Sequence, residues 1–255
     1  VHEAVNLLRQ KAFEPDVVLA VGGGSVLDFA KAVAASYASG KSVEEVFGVN
    51  NVPSALPVVA VPTTHGTGSE VTKYSIITHE NQKKSISDSK IVPKLALIDP
   101  VLTYSMPDEV AIDTTLDAFS HLSEAYFSAL CNPVVEAFAE KGFAYLEPHM
   151  KNLGKIPMTE KVHDELTLAS LFGGLAINSA GSGVVHAMGY PLTSEFELPH
   201  GRANAVLMPW VFKFNAEVKP EKYERMGEML GVTDLADYLC SINEQCGFME
   251  QIKAV

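Results

Sequence analysis

Cysteine is scarce in this 255-residue chain: Cys131, Cys240 and Cys246 form no CxxC pair and cannot supply a disulfide framework. A sparse, odd count suits a reducing compartment, so a cytoplasmic location is expected. Basic residues are also few, with 19 Lys plus Arg against 31 Asp plus Glu and a formal net charge of -12. No basic block offsets this balance. An acidic surface repels a phosphate backbone, which argues against general nucleic-acid binding. No apolar run approaches the ~20 residues that cross a bilayer, so no membrane association is expected. The first residues lack a basic segment followed by an apolar stretch, and no signal peptide is expected. Internal repeats and low-complexity linkers are missing too. What remains is ordinary globular material, 47% hydrophobic and 20% charged, with enough apolar residues for a core.

The pattern changes near residue 105. Before it, short β-branched runs alternate with helical stretches. Val17 to Val21 is continuously apolar, as in a strand buried on both faces of a parallel sheet, and it ends in Gly22-Gly23-Gly24. Ser25 is placed to cap the helix that follows. Val58 to Val61 is a second buried strand, and Tyr74 to Thr78, Lys84 to Ser87 and Leu95 to Ile98 read as further short strands. After residue 105 helical periodicity dominates, over Asp108 to Leu130, Pro133 to Met150, Glu160 to Ala180, Arg202 to Val218, Glu221 to Leu230 and Asp234 to Cys246, with stops at Gly231 and Gly247. The expected organisation is therefore an α/β domain over 1–105 and an all-helical domain over 106–255. A cleft between such domains is a preferred ligand site.

Four segments carry chemistry. Gly22-Gly23-Gly24-Ser25, with Asp28 and Lys31 on the next turn, lies between a strand and a helix. Such a turn lets a phosphate approach the backbone and meet the N–H groups and positive dipole end of the helix; the alternative is a tight turn. It matches neither the GxGxxG fingerprint nor the P-loop. Pro62 to Glu70 follows another buried strand and is dense in hydroxyls and glycines, suited to a pyrophosphate or ribose or simply to a polar turn. Asp117 and His121, four apart, share one helix face and can share a metal or merely pair with each other. His186 and His200 sit on no obviously solvated face; each is a satisfied core histidine or a ligand. One carboxylate and three imidazoles suit Fe(II), Zn(II) or a similar ion. His2, His79, His149 and His163 are expected to be solvated, and His65 lies inside the hydroxyl-rich loop. The cysteines are expected to pack helices, and Phe127, Phe172 and Tyr190 are candidates for pocket walls, with core packing as the commoner role of such aromatics.

Taken in order, Gly22 to Lys31, Pro62 to Thr72, Ala96 to Pro100, Asp113 to Glu124 and His186 to Pro209 resemble the iron-containing (group III) alcohol dehydrogenase family, over essentially the whole chain. The resemblance implies an α/β dinucleotide-binding (Rossmann-like) domain, an all-helical domain and a divalent metal in the cleft between them, Fe(II) first and Zn(II) second. It implies metal ligands at Asp117, His121, His186 and His200. The pyrophosphate of NAD or NADP would rest on Gly23, Gly24 and Ser25, with Asp28, Thr63, Thr64 and Thr67 approaching the cofactor and Lys84 near its ribose or pyrophosphate. The implied activity is hydride transfer between NAD(P) and a small alcohol or aldehyde, by a homodimer or larger oligomer.

Three departures from the family pattern stand out. Tyr190 occupies the position of a histidine given a proton-transfer or substrate role in many members. A tyrosine, with a pKa of ~10, is a poor general base, though it can donate a hydrogen bond. His65 replaces a small residue. Members are also longer at both ends, and Val1 stands in place of an initiator methionine, as in a fragment. Rival readings are a glycerol dehydrogenase or a dehydroquinate-synthase-like enzyme on the same plan, a metal-dependent hydrolase, and an inactive truncated product. The dehydroquinate-synthase-like reading needs a basic cluster for a phosphorylated substrate, and few Lys and Arg stand near the ligand set.

Overall fold

The computed structural model describes residues 1–11 and 14–253, with side chains to residue 250. The last two residues of the expected 106–255 domain lie outside the described residues. The chain forms two compact units, one of Val1–Thr64 with Ser69–Leu102, the other of His65–Gly68 with Thr103–Val255.

The first unit runs through α1 (His2–Gln10), β1 (Val18–Gly22), α2 (Gly24–Ser39), α3 (Val43–Val46), β2 (Gly48–Val49), β3 (Val58–Pro62), β4 (Tyr74–His79), β5 (Gln82–Ser87) and β6 (Leu95–Ala96). Strands β1, β3 and β6 make a parallel three-stranded sheet in that order, with Val18 opposite Val58 and Gly22 opposite Pro62. β1 and β3 therefore end side by side, and the Thr63 N–H donates to the Gly22 carbonyl at 3.0 Å. The two glycine-rich loops leave the same edge of the sheet. Helix α2 buries Leu27, Ala30 and Ala34 in one cluster with Ala20, Val58 and Ala60; the small alanines let helix and strands approach closely. It ends at Gly40, which takes a left-handed conformation with φ 71. β4 and β5 form an antiparallel hairpin through Glu80 and Asn81, both at positive φ (49 and 59), as a two-residue turn of primed type demands. β2, with α3 the element that short-run periodicity did not reveal, adds parallel to β5.

The second unit is α4 (Asp108–Phe127), α5 (Pro133–Met150), α6 (Glu160–Ala180), α7 (Val184–Glu195), α8 (His200–Val218), α9 (Pro220–Leu230), α10 (Leu235–Gln245) and α11 (Phe248–Lys253). Asn132, Thr159 and Asp234 cap α5, α6 and α10 through their side chains. Gly231 and Gly247, both at positive φ, close α9 and α10 as expected. Helix α4 is the central element and packs against α5, α6 and α8. Its Leu116, Phe119 and Leu122 are fully buried with Phe143, Leu146, Met150 and Phe212. Phe127 and Phe172 belong to this core. Among the described residues no single helix is long and apolar enough to cross a membrane.

Three expectations need correction. Strand β1 is not buried on both faces: α2 covers the Ala20 side, while Leu19 and Val21 are 64% and 52% exposed. Ser25 does not cap α2: the cap is Gly23, in extended conformation and without a side-chain bond, and Ser25 lies exposed in the first turn. The extended backbone at Gly23 lets the helix begin at Gly24, which leaves its leading N–H groups without a side-chain acceptor. Helix α7 was not anticipated at all. Gly189 and Pro191 blur its periodicity, and packing against α8 sustains it.

Candidate metal centre

Four side chains from three helices converge in the helical unit. Asp117 and His121 lie one turn apart on the buried face of α4, with His121 Nε2 3.9 Å from Asp117 Oδ1. His186, in the first turn of α7, brings its Nε2 to 3.6 Å from the same oxygen. His200, the first residue of α8, brings its Nε2 to 3.8 Å. Donor atoms of Asp117, His121 and His186 all lie within 4.8 Å of one another. Gly201 explains how α8 reaches this point: a Cβ there would stand 1.7 Å from the Asp113 carbonyl oxygen. Arg202 then clamps α8 to α4, its Nε and Nη2 each 3.0 Å from an oxygen of the Asp113 carboxylate.

The imidazoles are turned by partners behind them. His121 Nδ1 donates to the Gly66 carbonyl at 3.1 Å, and His186 Nδ1 donates to Glu124 Oε2 at 2.6 Å. Each bond places a proton on Nδ1 and turns Nε2 toward Asp117. The Asn204 Nδ2 donates to Asp117 Oδ1 at 3.0 Å and stands 3.4 and 3.3 Å from Nε2 of His186 and His200. Neither Glu124 nor Asn204 was among the residues singled out from sequence. The available signal was helical spacing: Glu124 follows His121 by three, and Asn204 follows His200 by four.

Burial pushes the Asp117 carboxyl upward, but His121, His200 and His186 outweigh it and hold it well below the usual carboxylate range. Burial lowers His121 to about 4. His186 is raised, because bonds to Asp117 and Glu124 overcome its desolvation. The charged groups facing both carboxylates in the centre are imidazoles. A carboxylate and three borderline nitrogen donors gathered about one carboxylate oxygen, with the Glu124 charge behind His186, fit a divalent transition ion. His200 keeps 33% side-chain exposure while Asp117, His121 and His186 stay below 8%. Solvent thus meets the centre beside His200, where the half-buried Tyr190 stacks on its ring at 5.6 Å.

The α/β unit treats its candidate residues unevenly. Gly23, Gly24 and Ser25 form the start of α2, and Thr63 and Thr64 follow β3 beside them. Thr67 falls in the segment that packs with the helical unit. Lys84 lies on β5, in the other sheet from Gly23 and Thr63. The Asp28 carboxylate is engaged within the fold, accepting from Ser69 Oγ at 2.6 Å and from the Ile76 N–H at 2.9 Å. Two histidines expected to be solvated are not. His163 is buried, its ring 5.4 Å from that of buried His65, and His149 pairs with Glu165 at 2.5 Å. Their helices turn these faces inward, which neighbouring charges in the sequence do not reveal.

Two family profiles match the chain, "Iron-containing alcohol dehydrogenase" over residues 1–100 and "Fe-containing alcohol dehydrogenase family, C-terminal" over residues 111–255. The chain belongs to the iron-containing alcohol dehydrogenase family. It is 35% identical over 234 residues to an NAD-dependent methanol dehydrogenase from Bacillus methanolicus, covering 91% of this chain and 61% of that protein. A 1,3-propanediol dehydrogenase from Klebsiella pneumoniae is 33% identical, with 85% and 57% covered. The crystal structure of an iron-containing alcohol dehydrogenase from Thermotoga maritima superposes with a TM-score of 0.86 at 36% identity, covering 97% of this chain and 66% of that one. The chain thus spans less than two thirds of these relatives.

Proposed function

We propose that this chain is the greater part of an NAD(P)-dependent alcohol dehydrogenase that interconverts a small alcohol and its aldehyde or ketone. The observation that carries the reading is the approach of His121, His186 and His200 Nε2 to 3.9, 3.6 and 3.8 Å from Asp117 Oδ1, with exposure beside His200. In this reading residues 1–105 bind the dinucleotide and 106–255 bind the metal. A divalent ion, Fe(II) or alternatively Zn(II), supplies Lewis acidity toward the substrate oxygen, and a nicotinamide supplies the hydride-accepting ring.

The chain's own residues hold and orient. Asp117, His121, His186 and His200 hold the ion. The uncapped start of α2, at Gly23, Gly24 and Ser25, meets the pyrophosphate with N–H groups and positive dipole end. Thr63, Thr64 and Thr67 add hydroxyls and Lys84 a cation. Asp28 serves by holding the 69–76 segment rather than by touching cofactor. Tyr190, at the open side, offers a phenolic hydrogen bond to the substrate. Relatives include an NAD-dependent methanol dehydrogenase, a 1,3-propanediol dehydrogenase and an NADPH-dependent butanol dehydrogenase, which supports a small alcohol and leaves both nicotinamides in the test. A cytoplasmic, homo-oligomeric enzyme completes the reading.

The test is metal stoichiometry on the purified chain, reconstituted anaerobically with Fe(II) or Zn(II), beside His200→Ala. About one ion per chain, lost in the variant, is expected from a single four-ligand site. Hydride transfer from NADH and NADPH to small aldehydes is then measured. No ion on the unmutated, folded chain would overturn the metal assignment.

A further inference from the structure

Helix α7 has no side chain of its own at its N-terminus; its cap position is Gly183. The missing acceptor comes from α4. Glu124 Oε2 accepts from the Gly183 N–H at 2.8 Å and from His186 Nδ1 at 2.6 Å, and Oε1 accepts from the Val185 N–H at 2.5 Å. Three donors from the first turn of α7 thus close on one carboxylate that is 4% exposed. The fit depends on Gly183, where a Cβ would meet Glu124 Oε1 at 2.9 Å. A buried carboxylate at a helix N-terminus also gains from the dipole, and each of these bonds is charge-assisted.

The other ligands arrive differently. Asp117 and His121 are built into α4, and His200 begins α8, which Arg202 fastens to Asp113. Behind His121 stands a neutral carbonyl; behind His186 stands a full charge. His186, like His200, depends on docking a helix separate from α4, but only for His186 does one residue, Glu124, both seat that helix and orient the ring. It seats the end of α7, and it fixes the His186 tautomer with Nε2 toward Asp117.

We propose that Glu124 is a positioning residue that makes the docking of α7 and the capture of the metal a single event. The inference rests on the metal reading above. It predicts that ion binding rigidifies α7 in particular and that losing the Glu124 charge loosens the ion.

Zn(II) affinity of the full chain is measured by chelator competition for the wild type, Glu124→Gln and Glu124→Ala, with amide hydrogen exchange over residues 184–190 with and without Zn(II). Glu124→Gln keeps one acceptor oxygen and loses the charge. It should weaken Zn(II) binding ~10–100-fold, as loss of an outer partner does. In the wild type Zn(II) should slow exchange over 184–190, and in Glu124→Ala that slowing should vanish while α4 stays protected. A residue that merely capped the helix would leave Zn(II) affinity unchanged in Glu124→Gln, and that result overturns the proposal. So does equal Zn(II)-induced protection of 184–190 in Glu124→Ala. Failure of the folded wild type to bind Zn(II) or Fe(II) sinks the metal reading and this proposal together; wild-type binding with unaffected variants sinks this proposal alone. Should the variants not fold, the 15N shifts of wild-type His186 decide. Protonated Nδ1 supports the arrangement, and protonated Nε2 with bare Nδ1 overturns it.

Discussion

Lys31 and Asp117 are both charged, both buried and both on core helices, yet their surroundings are opposite in kind. The Lys31 ammonium has three protons, and Ser69 Oγ, the Thr72 carbonyl and the Tyr74 carbonyl take them at 2.9, 3.0 and 2.8 Å. Asp28 supplies the counter-charge at 3.9 Å and is itself bonded to Ser69 and Ile76. That network is closed. Around Asp117 the Nε2 atoms of His121, His186 and His200 stand 3.9, 3.6 and 3.8 Å from one carboxylate oxygen, and the Asn204 amide is shared between that oxygen and two of the rings. A closed buried network fixes a fold. In the metal reading proposed above, acceptors crowded in this way gain a cation as their common partner.

The comparison is broken most forcefully at Lys31. Lys31→Met should cost about 3–5 kcal/mol in denaturant unfolding, because it strands Asp28 and three acceptors in the interior. Zn(II) stoichiometry of the folded fraction should not change. A loss under 1 kcal/mol, or a lost ion, would erase the distinction between the networks.

Asp117→Asn tests the other side. The wild type should gain about 2.7 kcal/mol from Zn(II) at a hundredfold excess over Kd. The variant should forfeit that gain, while its metal-free stability moves by no more than about 1–3 kcal/mol. Persistence of the Zn(II)-induced rise in melting temperature would show that the network is not open at Asp117.

The smallest effect concerns His65, buried against His163 with Nε2 unpartnered. Burial lowers its pKa from 6.5 to about 3, helped by His163. A lowered histidine is neutral in the fold and takes its proton in the unfolded chain. Its contribution is therefore intact above about pH 6.5 and declines from there down to about pH 3, by up to ~1.4 kcal/mol per pH unit. Metal-free unfolding of His65→Gln from pH 7 to 5 should show a shallower pH slope than the wild type. Equal slopes would mean that His65 protonates in place.

Much of the molecule was legible in order of residues alone. The apolar run before Gly22, the run before Pro62 and the long helical periods are local signals, and the strands and helices lie where those signals put them. The Asp117–His121 spacing was legible for the same reason, since one helical turn brings i and i+4 together. Helix α7 was not, because its glycine and proline content argues against a helix locally and only packing on α8 overrules it. Nor was the burial of His163, which depends on which face of α6 meets His65 and Tyr104.

The sequence by itself determined the α/β half, the helical half, two glycine-rich loops after apolar strands and four candidate donor residues. The tertiary structure alone decided that those four donors meet, that Asp28 is engaged within the fold, and that Glu124 and Asn204 stand beside the ligands. The physical reason is range. Periodicity and capping act over a turn or two of chain. The contact between Glu124 and His186 spans 62 residues and exists only because α4 and α7 pack with a glycine between them.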